Sequence, residues 1–328
     1  MKTILNGLFE NKALSRVQAK DILMNISSGK YNTPQVAAFM SVYLMRPITV
    51  DELSGFRDAM LELSLPVKFN TEETIDIVGT GGDGRNTFNI STLACFVAAG
   101  AGIKVTKHGN YGVSTISGSS NVLEAIGYEF TNDVPALQRQ LDEAGLCFLH
   151  APLFHPAMKF VAPVRKDMGV RTFFNMLGPV VNPCRPKYQV LGVYDLRMAR
   201  LYNYLLQNTS TVYSIVHTYG TNAGGYDEIS LTEAYKVITN EKELVVEPEQ
   251  RFIQQDLFGG NSIGEAATIF MKILNGKGTK AQNEVVIANA AIAIQTAKGI
   301  EPDESSRLAR ASLTDGRSLE VYLKLTGR

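Results

Sequence analysis

Over residues 1 to about 65, apolar positions recur at helical spacing and no alternating strand pattern interrupts them. Ser15-Arg16-Val17-Gln18 has the Ser-x-x-Gln form of a capping box ahead of Ile22, Leu23 and Ile26, so a helix is expected to start there. Thr33-Pro34 reads as an N-cap with proline at the first helical position, and Val36, Phe39, Met40 and Tyr43 follow on one face. Thr49-Val50-Asp51-Glu52 is another capping box, leading into Leu53, Phe56, Met60 and Leu63, with Pro66 as the stop. A small all-helical N-terminal domain over 1-66 is expected. No catalytic signature lies in it.

From about residue 72 the period changes to strand–helix alternation, which implies a larger α/β domain over 72-328 with a mainly parallel central sheet. Gly102 to Thr106, Gly145 to Leu149, Tyr188 to Val193 and Tyr213 to Val216 read as strands. His155-Pro156 opens a helix carrying Val161, Val164 and Arg165. Lys236 to Val246 alternates as a hairpin-like excursion. Residues 283 to 299 read as a buried helix and 303 to 314 as an amphipathic one. There is no low-complexity linker, so several short crossings are expected to join two lobes.

Composition narrows the function classes. The formal net charge is +0, so no global field draws nucleic acid. No apolar run approaches the roughly 20 residues a membrane span needs, and the N-terminus lacks a basic-then-apolar signal segment. Cys95, Cys147 and Cys184 are odd in number and far apart. They fit a reducing cytoplasm and small core residues better than a disulfide framework or a zinc site. A cytoplasmic protein without nucleic-acid or membrane partners is expected.

The chemistry concentrates in two turns. Asp76-Ile77-Val78-Gly79-Thr80-Gly81-Gly82-Asp83-Gly84 ends a β-branched run in dense glycine, and Asn89-Ile90-Ser91-Thr92 opens an Ala-rich helix. Strand, glycine turn and helix start together make a phosphate cradle of backbone N–H groups at the positive end of a helix dipole. The pattern is neither GxGxxG nor a Walker loop, and taken alone it is also what a close βα connection needs. A second strand runs into Lys107-His108-Gly109-Asn110-Tyr111-Gly112-Val113-Ser114-Thr115-Ile116-Ser117-Gly118-Ser119-Ser120. Two such turns at the ends of neighbouring parallel strands face one crevice, where ligands of open α/β sheets bind.

GTGGDG with TFNIST, KHGN with SGSS, and the segment from His155 to Pro183 resemble the anthranilate phosphoribosyltransferase family over nearly the whole chain. The resemblance implies the nucleoside phosphorylase / phosphoribosyltransferase type of fold, with a segment near 170-188 returning to the helical lobe and a homodimer formed through that lobe. It implies transfer of phosphoribose from 5-phosphoribosyl 1-diphosphate to the amine of anthranilate, with two Mg2+ ions, in tryptophan biosynthesis. The phosphoribosyl-diphosphate site it carries over is Gly79, Gly82, Asp83, Thr87, Asn89, Ile90, Ser91, Thr92, Lys107, His108, Gly109, Asn110, Tyr111, Gly112, Val113, Ser114, Thr115 and Ser119. Ser91, Asp227 and Glu228 become the metal contacts. Arg165 becomes the clamp for the anthranilate carboxylate, since a guanidinium matches a carboxylate bidentately, and Gly79 and Asn110 also touch the aromatic acid. His108 is a positioning group first and a base second, while Arg171 is read as structural, holding the turn Asn175 to Pro179.

Blander roles stand beside these. Asp83 is also a good turn former, Ser91 an N-cap, Lys107 a surface cation and Asp227-Glu228 a solvated loop pair. Three departures bear on the site: Tyr111 stands where the family has arginine, Ser114-Thr115 stands where the family has a serine pair, and residues 218 to 226 are slightly longer than usual. A pyrimidine nucleoside phosphorylase of the same fold and a non-catalytic nucleic-acid-binding relative are the competing readings. The acidic pair opposes the first, and the intact glycine turns with zero net charge oppose the second. The sequence does not say whether an anthranilate synthase subunit binds.

Overall fold

The computed structural model describes residues 1–112, 116–220 and 224–328. The chain divides into two units, one of Met1–Val67 with Ala151–Arg185 and one of Lys68–His150 with Pro186–Arg328.

The first unit is helical. It contains α1 (Lys2–Phe9), α2 (Arg16–Ser27), α3 (Thr33–Met45) and α4 (Val50–Leu63). Ser15 and Thr49 form the expected capping boxes with Gln18 and Glu52. At α3 the cap lies one residue earlier than expected: Asn32 accepts from the Gln35 N–H, which places Pro34 second in the helix. The asparagine side chain outcompetes Thr33 because it gains the reciprocal glutamine bond. The second segment joins this unit through an aromatic cluster. Phe173 stacks on Phe56 at 4.5 Å and on Phe174 at 4.4 Å, and meets Phe39 and Tyr43 edge-on. Such pairs add about 0.5–1.5 kcal/mol each beyond area burial. Arg57 Nε donates to the Val180 carbonyl at 3.0 Å, and the Leu65 N–H to the Phe154 carbonyl at 2.8 Å. The helix expected to open at His155 is instead a 3-10 turn, Pro156–Phe160, followed by a short α-helix, Ala162–Met168.

Glu52 is the hidden centre of this unit. Its side chain is 0% exposed, yet it accepts from both Arg46 Nη atoms, at 2.9 and 2.5 Å, and from the Leu14 N–H at 3.1 Å. Thr49 and the Tyr43 hydroxyl complete its set. Burial opposes its charge, but Arg46 and the N–H donors of Thr49 and Leu14 prevail and hold the carboxyl below its ordinary range.

The second unit carries a seven-stranded sheet in the order β3-β2-β1-β4-β5-β6-β7. The strands are β1 (Thr74–Gly79), β2 (Lys104–Gly109), β3 (Leu146–His150), β4 (Tyr188–Gly192), β5 (Val212–Thr218), β6 (Tyr235–Thr239) and β7 (Glu243–Val246). Strands β3, β2, β1, β4 and β5 are parallel, while β5–β6–β7 pair antiparallel, which is the expected hairpin excursion. The parallel strands are buried along most of their length because helices cover them. α5 (Ile90–Gly100) and the helix Lys280–Lys298 supply much of that core, and α6 (Ser119–Ala125) follows the second turn. Cys95 and Cys147 are core residues as expected, and burial pushes the Cys95 thiol up to about 12. Cys184 is only half-buried, because its thiol turns to Asn182 Oδ1 at 3.1 Å. No described helix is long and apolar enough to cross a membrane.

Candidate active site

The order of connection reverses at β1: the chain moves outward through β2 and β3, then returns to β4 on the other side of β1. The C-terminal ends of β1, β2 and β4 therefore open at a topological switch point, the usual ligand site of such sheets. Gly79, Gly109 and Gly192 are the last residues of those strands.

After β1 the glycine turn holds Gly81, Gly82 and Gly84 at φ of 64, 82 and 74°, a region other residues rarely enter. Asp83 Oδ1 accepts from the Arg85 N–H at 2.9 Å, which fixes the end of the turn. Asn89 is the N-cap of α5 by position, but its amide donates across to the Ser117 carbonyl at 3.0 Å. That bond ties the first turn to the second. Ser91, an N-cap in the blander reading, is the second helical residue. Its N–H instead donates to the Glu228 side chain, so a carboxylate from a distant loop caps this helix.

The acidic pair thus reaches the first turn. Asp227 Oδ2 accepts from the Gly81 N–H at 2.6 Å, across 146 residues of chain. Burial and repulsion from Asp83 push Asp227 up to about 7. Burial, Asp227 and Asp83 push Glu228 well above its ordinary range, against the pull of Ser91 and Lys107. Glu228 Oε2 is buried without a hydrogen-bond partner among the described residues. Burial and mutual repulsion thus hold Asp227 and Glu228 above the ordinary carboxylate range beside Asp83.

Close approach explains two of the glycines. A Cβ at Gly79 would lie 2.4 Å from Asp227 Oδ2, and one at Gly192 only 1.6 Å from the Asp227 backbone oxygen. Neither has left-handed φ; both are needed because the acidic loop presses on the strand ends. Gly192→Ala must push that loop away. The expected result is a loss of at least about 100-fold in kcat/KM, measured by steady-state kinetics, while circular dichroism keeps its native form.

Lys107 and His108 stand in β2, not in the turn after it. Lys107 is 3% exposed and its Nζ donates to the Ile77 carbonyl at 2.6 Å, while its charge acts on Glu228. The surface-cation reading does not survive that burial. His108 is 4% exposed, and its N–H donates to Asp76 Oδ1 at 3.1 Å. In the second turn Asn110 accepts from Ser119 Oγ at 3.2 Å, and Asn121 Oδ1 accepts from the N–H groups of Gly112 and Gly118. Tyr111 donates to Glu124 at 2.9 Å and sets its ring edge against His150. The polar end of the tyrosine is thus spent on α6, where an arginine would carry charge. Thr87 pairs in a bridge with Phe258. Val113, Ser114 and Thr115 lie outside the described residues.

Arg165 belongs to the helical unit. Burial lowers its pKa from the ordinary value, its Nη2 donates to Asn175 Oδ1 at 3.2 Å, and its guanidinium lies 5.5 Å from the Phe174 ring centroid. Arg165 thus meets Asn175, at the start of the turn that Arg171 is read as holding. The sequence reading also missed Asp76, Gly192, Arg85 and the segment 254–260 that backs the glycine turn. Asp76 carried a signal, a carboxylate inside an apolar strand; the others depend on contacts that no local pattern reveals.

Two family models match the chain: the helical bundle domain of a glycosyl transferase family over residues 2–64, and its a/b domain over residues 71–319. The chain is thus built as a glycosyl transferase, with a helical bundle domain and an a/b domain. An anthranilate phosphoribosyltransferase of Flavobacterium psychrophilum is 56% identical over 99% of this chain and 98% of the relative. The crystal structure of the Thermus thermophilus anthranilate phosphoribosyltransferase matches with a TM-score of 0.90 at 30% identity, covering 98% of each chain. The Saccharomyces cerevisiae enzyme in complex with PRPP and Mg matches at 0.89 and 25%, covering 98% of this chain and 96% of that one. On this full-length likeness, the chain belongs to the anthranilate phosphoribosyltransferase family.

Proposed function

We infer that this chain transfers the phosphoribosyl group of 5-phosphoribosyl 1-diphosphate to the amine of anthranilate, giving N-(5-phosphoribosyl)anthranilate and diphosphate in tryptophan biosynthesis. The observation that carries this reading is the convergence of Gly81, Ser91, Lys107, Asp227 and Glu228 at the switch point. A phosphorylase of nucleosides has no use for a buried, mutually repelling carboxylate pair, and the zero net charge gives nucleic acid no purchase.

The residues present fit magnesium. Among the described residues no group of three or more His, Cys, Asp or Glu is placed to hold a metal ion, whereas magnesium takes one or two carboxylates and keeps its waters. We propose Asp227, Glu228 and Ser91 as its contacts, and two ions as the number. When bound, magnesium would neutralise charge on the leaving diphosphate.

The chain's own groups do the rest. The backbone of the glycine turn and the positive end of the α5 dipole are proposed to face the phosphate oxygens. Gly79, Gly82, Asp83, Thr87, the run Asn89 to Thr92, Lys107 to Thr115 and Ser119 are proposed to surround the sugar diphosphate. The anthranilate nitrogen attacks ribose C1, diphosphate leaves with the bonding electrons, and the nitrogen sheds a proton. His108 is proposed to position the groups first and to accept that proton second. Arg165 is proposed to hold the carboxylate, with Gly79 and Asn110 against the aromatic acid; the four guanidinium nitrogen–hydrogens beyond the one on Asn175 are enough for a bidentate grip. Arg165→Ala should then raise the KM for anthranilate far more than it lowers kcat.

The family matches at 2–64 and 71–319 support domains over 1-66, with a returning segment, and 72-328. Exposed Phe9, Leu44 and Met45 on the helical unit support a homodimer through it. A cytoplasmic location fits a biosynthetic enzyme with free cysteines. The direct test is anthranilate fluorescence in the presence of phosphoribosyl diphosphate and magnesium, run beside thymidine phosphorolysis and a DNA mobility shift. Anthranilate must disappear only with both additions, and the two controls must stay silent. Phosphorolysis without anthranilate loss would overturn the reading.

A further inference from the structure

We propose that Arg85 is a positioning residue that locks the glycine turn to the acidic loop. It follows the turn directly, and its N–H already closes on Asp83. The guanidinium then spans three partners. Nη1 donates to Gln254 Oε1 at 2.7 Å, Nη2 donates to the Gly224 carbonyl at 3.1 Å, and the planar group lies 4.8 Å over the Tyr226 ring. Gly224 and Tyr226 stand immediately before Asp227-Glu228. Tyr226 is itself fixed, 4% exposed and paired in both directions with Thr218 at 3.0 and 3.3 Å.

One planar cation therefore grips the backbone just ahead of the acidic pair, the ring beside it and the 254–260 segment behind the turn. Asp227 answers from the other side by accepting from Gly81. The two loops are closed into a ring of contacts, with Arg85 at one end and the Gly81–Asp227 bond at the other. Arg85 is only half-buried and touches loops rather than the core, so its loss loosens the site without opening the fold. Its flat fork makes two hydrogen bonds and a face contact at once, whereas a lysine makes a single directed contact. Arg85 acts through Asp227 and Glu228, not by touching substrate.

This inference rests on the phosphoribosyl-transfer reading for its kinetic consequence but not for its structural one. Amide hydrogen exchange of the metal-free protein reads the coupling without turnover. In Arg85→Ala the amides of Gly81, Gly225 and Tyr226 are expected to exchange about tenfold faster, with protection in β1 and α5 unchanged. In kinetics the same variant should raise the KM for phosphoribosyl diphosphate and the magnesium half-saturation about tenfold each, with the KM for anthranilate unmoved. Arg85→Lys should fall between. Unaltered exchange at those three amides overturns the proposal, and so does a loss of protection spread through the sheet, which would make Arg85 an ordinary structural residue. If exchange changes as expected but the wild type consumes no anthranilate, the coupling stands and the functional reading falls.

Discussion

Asp227→Asn combined with Glu228→Gln is expected to lower kcat by about 10³-fold, by removing the charges proposed to hold the metal against the leaving diphosphate. The same change should make the metal-free protein more stable. Burial and like charge hold both carboxyls above their ordinary range, so the folded state binds their protons more tightly than the unfolded chain. Their favourable contribution is complete below the ordinary carboxylate pKa and is lost as pH rises through about 7 for Asp227. The metal-free wild type should therefore melt progressively lower between pH 5 and 8. The neutral pair should be flat over that range and melt about 3–6 °C higher at pH 8, equivalent to about 1–2 kcal/mol. Added magnesium should restore the wild type and leave the variant unmoved. Scanning calorimetry with and without the metal checks all three. A variant that loses activity and also melts lower would mean the pair is an ordinary part of the fold.

Glu52→Ala is expected to be the most destabilising single change in the helical unit. It leaves the half-buried Arg46 without its main partner and strips the Leu14 and Thr49 N–H groups of their acceptor. Removing one member of a buried, hydrogen-bonded ion pair costs about 3–5 kcal/mol, enough to lower the melting temperature by more than about 10 °C. Glu52→Gln, which keeps the shape, should cost less. Because the folded pKa of Glu52 is depressed, its contribution is present above the ordinary carboxylate range and fades as pH falls below it. The gap between wild type and Glu52→Ala should accordingly shrink toward pH 3. Urea titrations at pH 7 and pH 3 measure this, and equal gaps at both would contradict it.

The helical lobe, the parallel sheet and the glycine turn were legible because each rests on local chemistry. Ser15–Gln18 and Thr49–Glu52 announce helix starts, and glycines with φ beyond the reach of other residues announce the turn. Misreadings arose where two local solutions compete or where a contact spans the chain. Asn32 and Thr33 both could cap α3, and only the Gln35 bond decides between them. Glu52 reads as a capping residue, and nothing nearby reveals that Leu14, 38 positions away, also donates to it. Gly192 and Arg85 are unremarkable letters until the loop at 224–228 folds back on them. The acidic pair was a long-range element the motifs did find, through the family resemblance and not through its spacing.

The central claim is that a sugar diphosphate and magnesium are bound together by the glycine turn and the acidic pair. Calorimetric titration of phosphoribosyl diphosphate into the protein, with magnesium and with a chelator, tests it most directly when repeated on the Asp227→Asn/Glu228→Gln variant. Binding should require the metal in the wild type and be absent from the variant under either condition. Equal affinity with and without magnesium, or undiminished binding by the variant, would contradict the account.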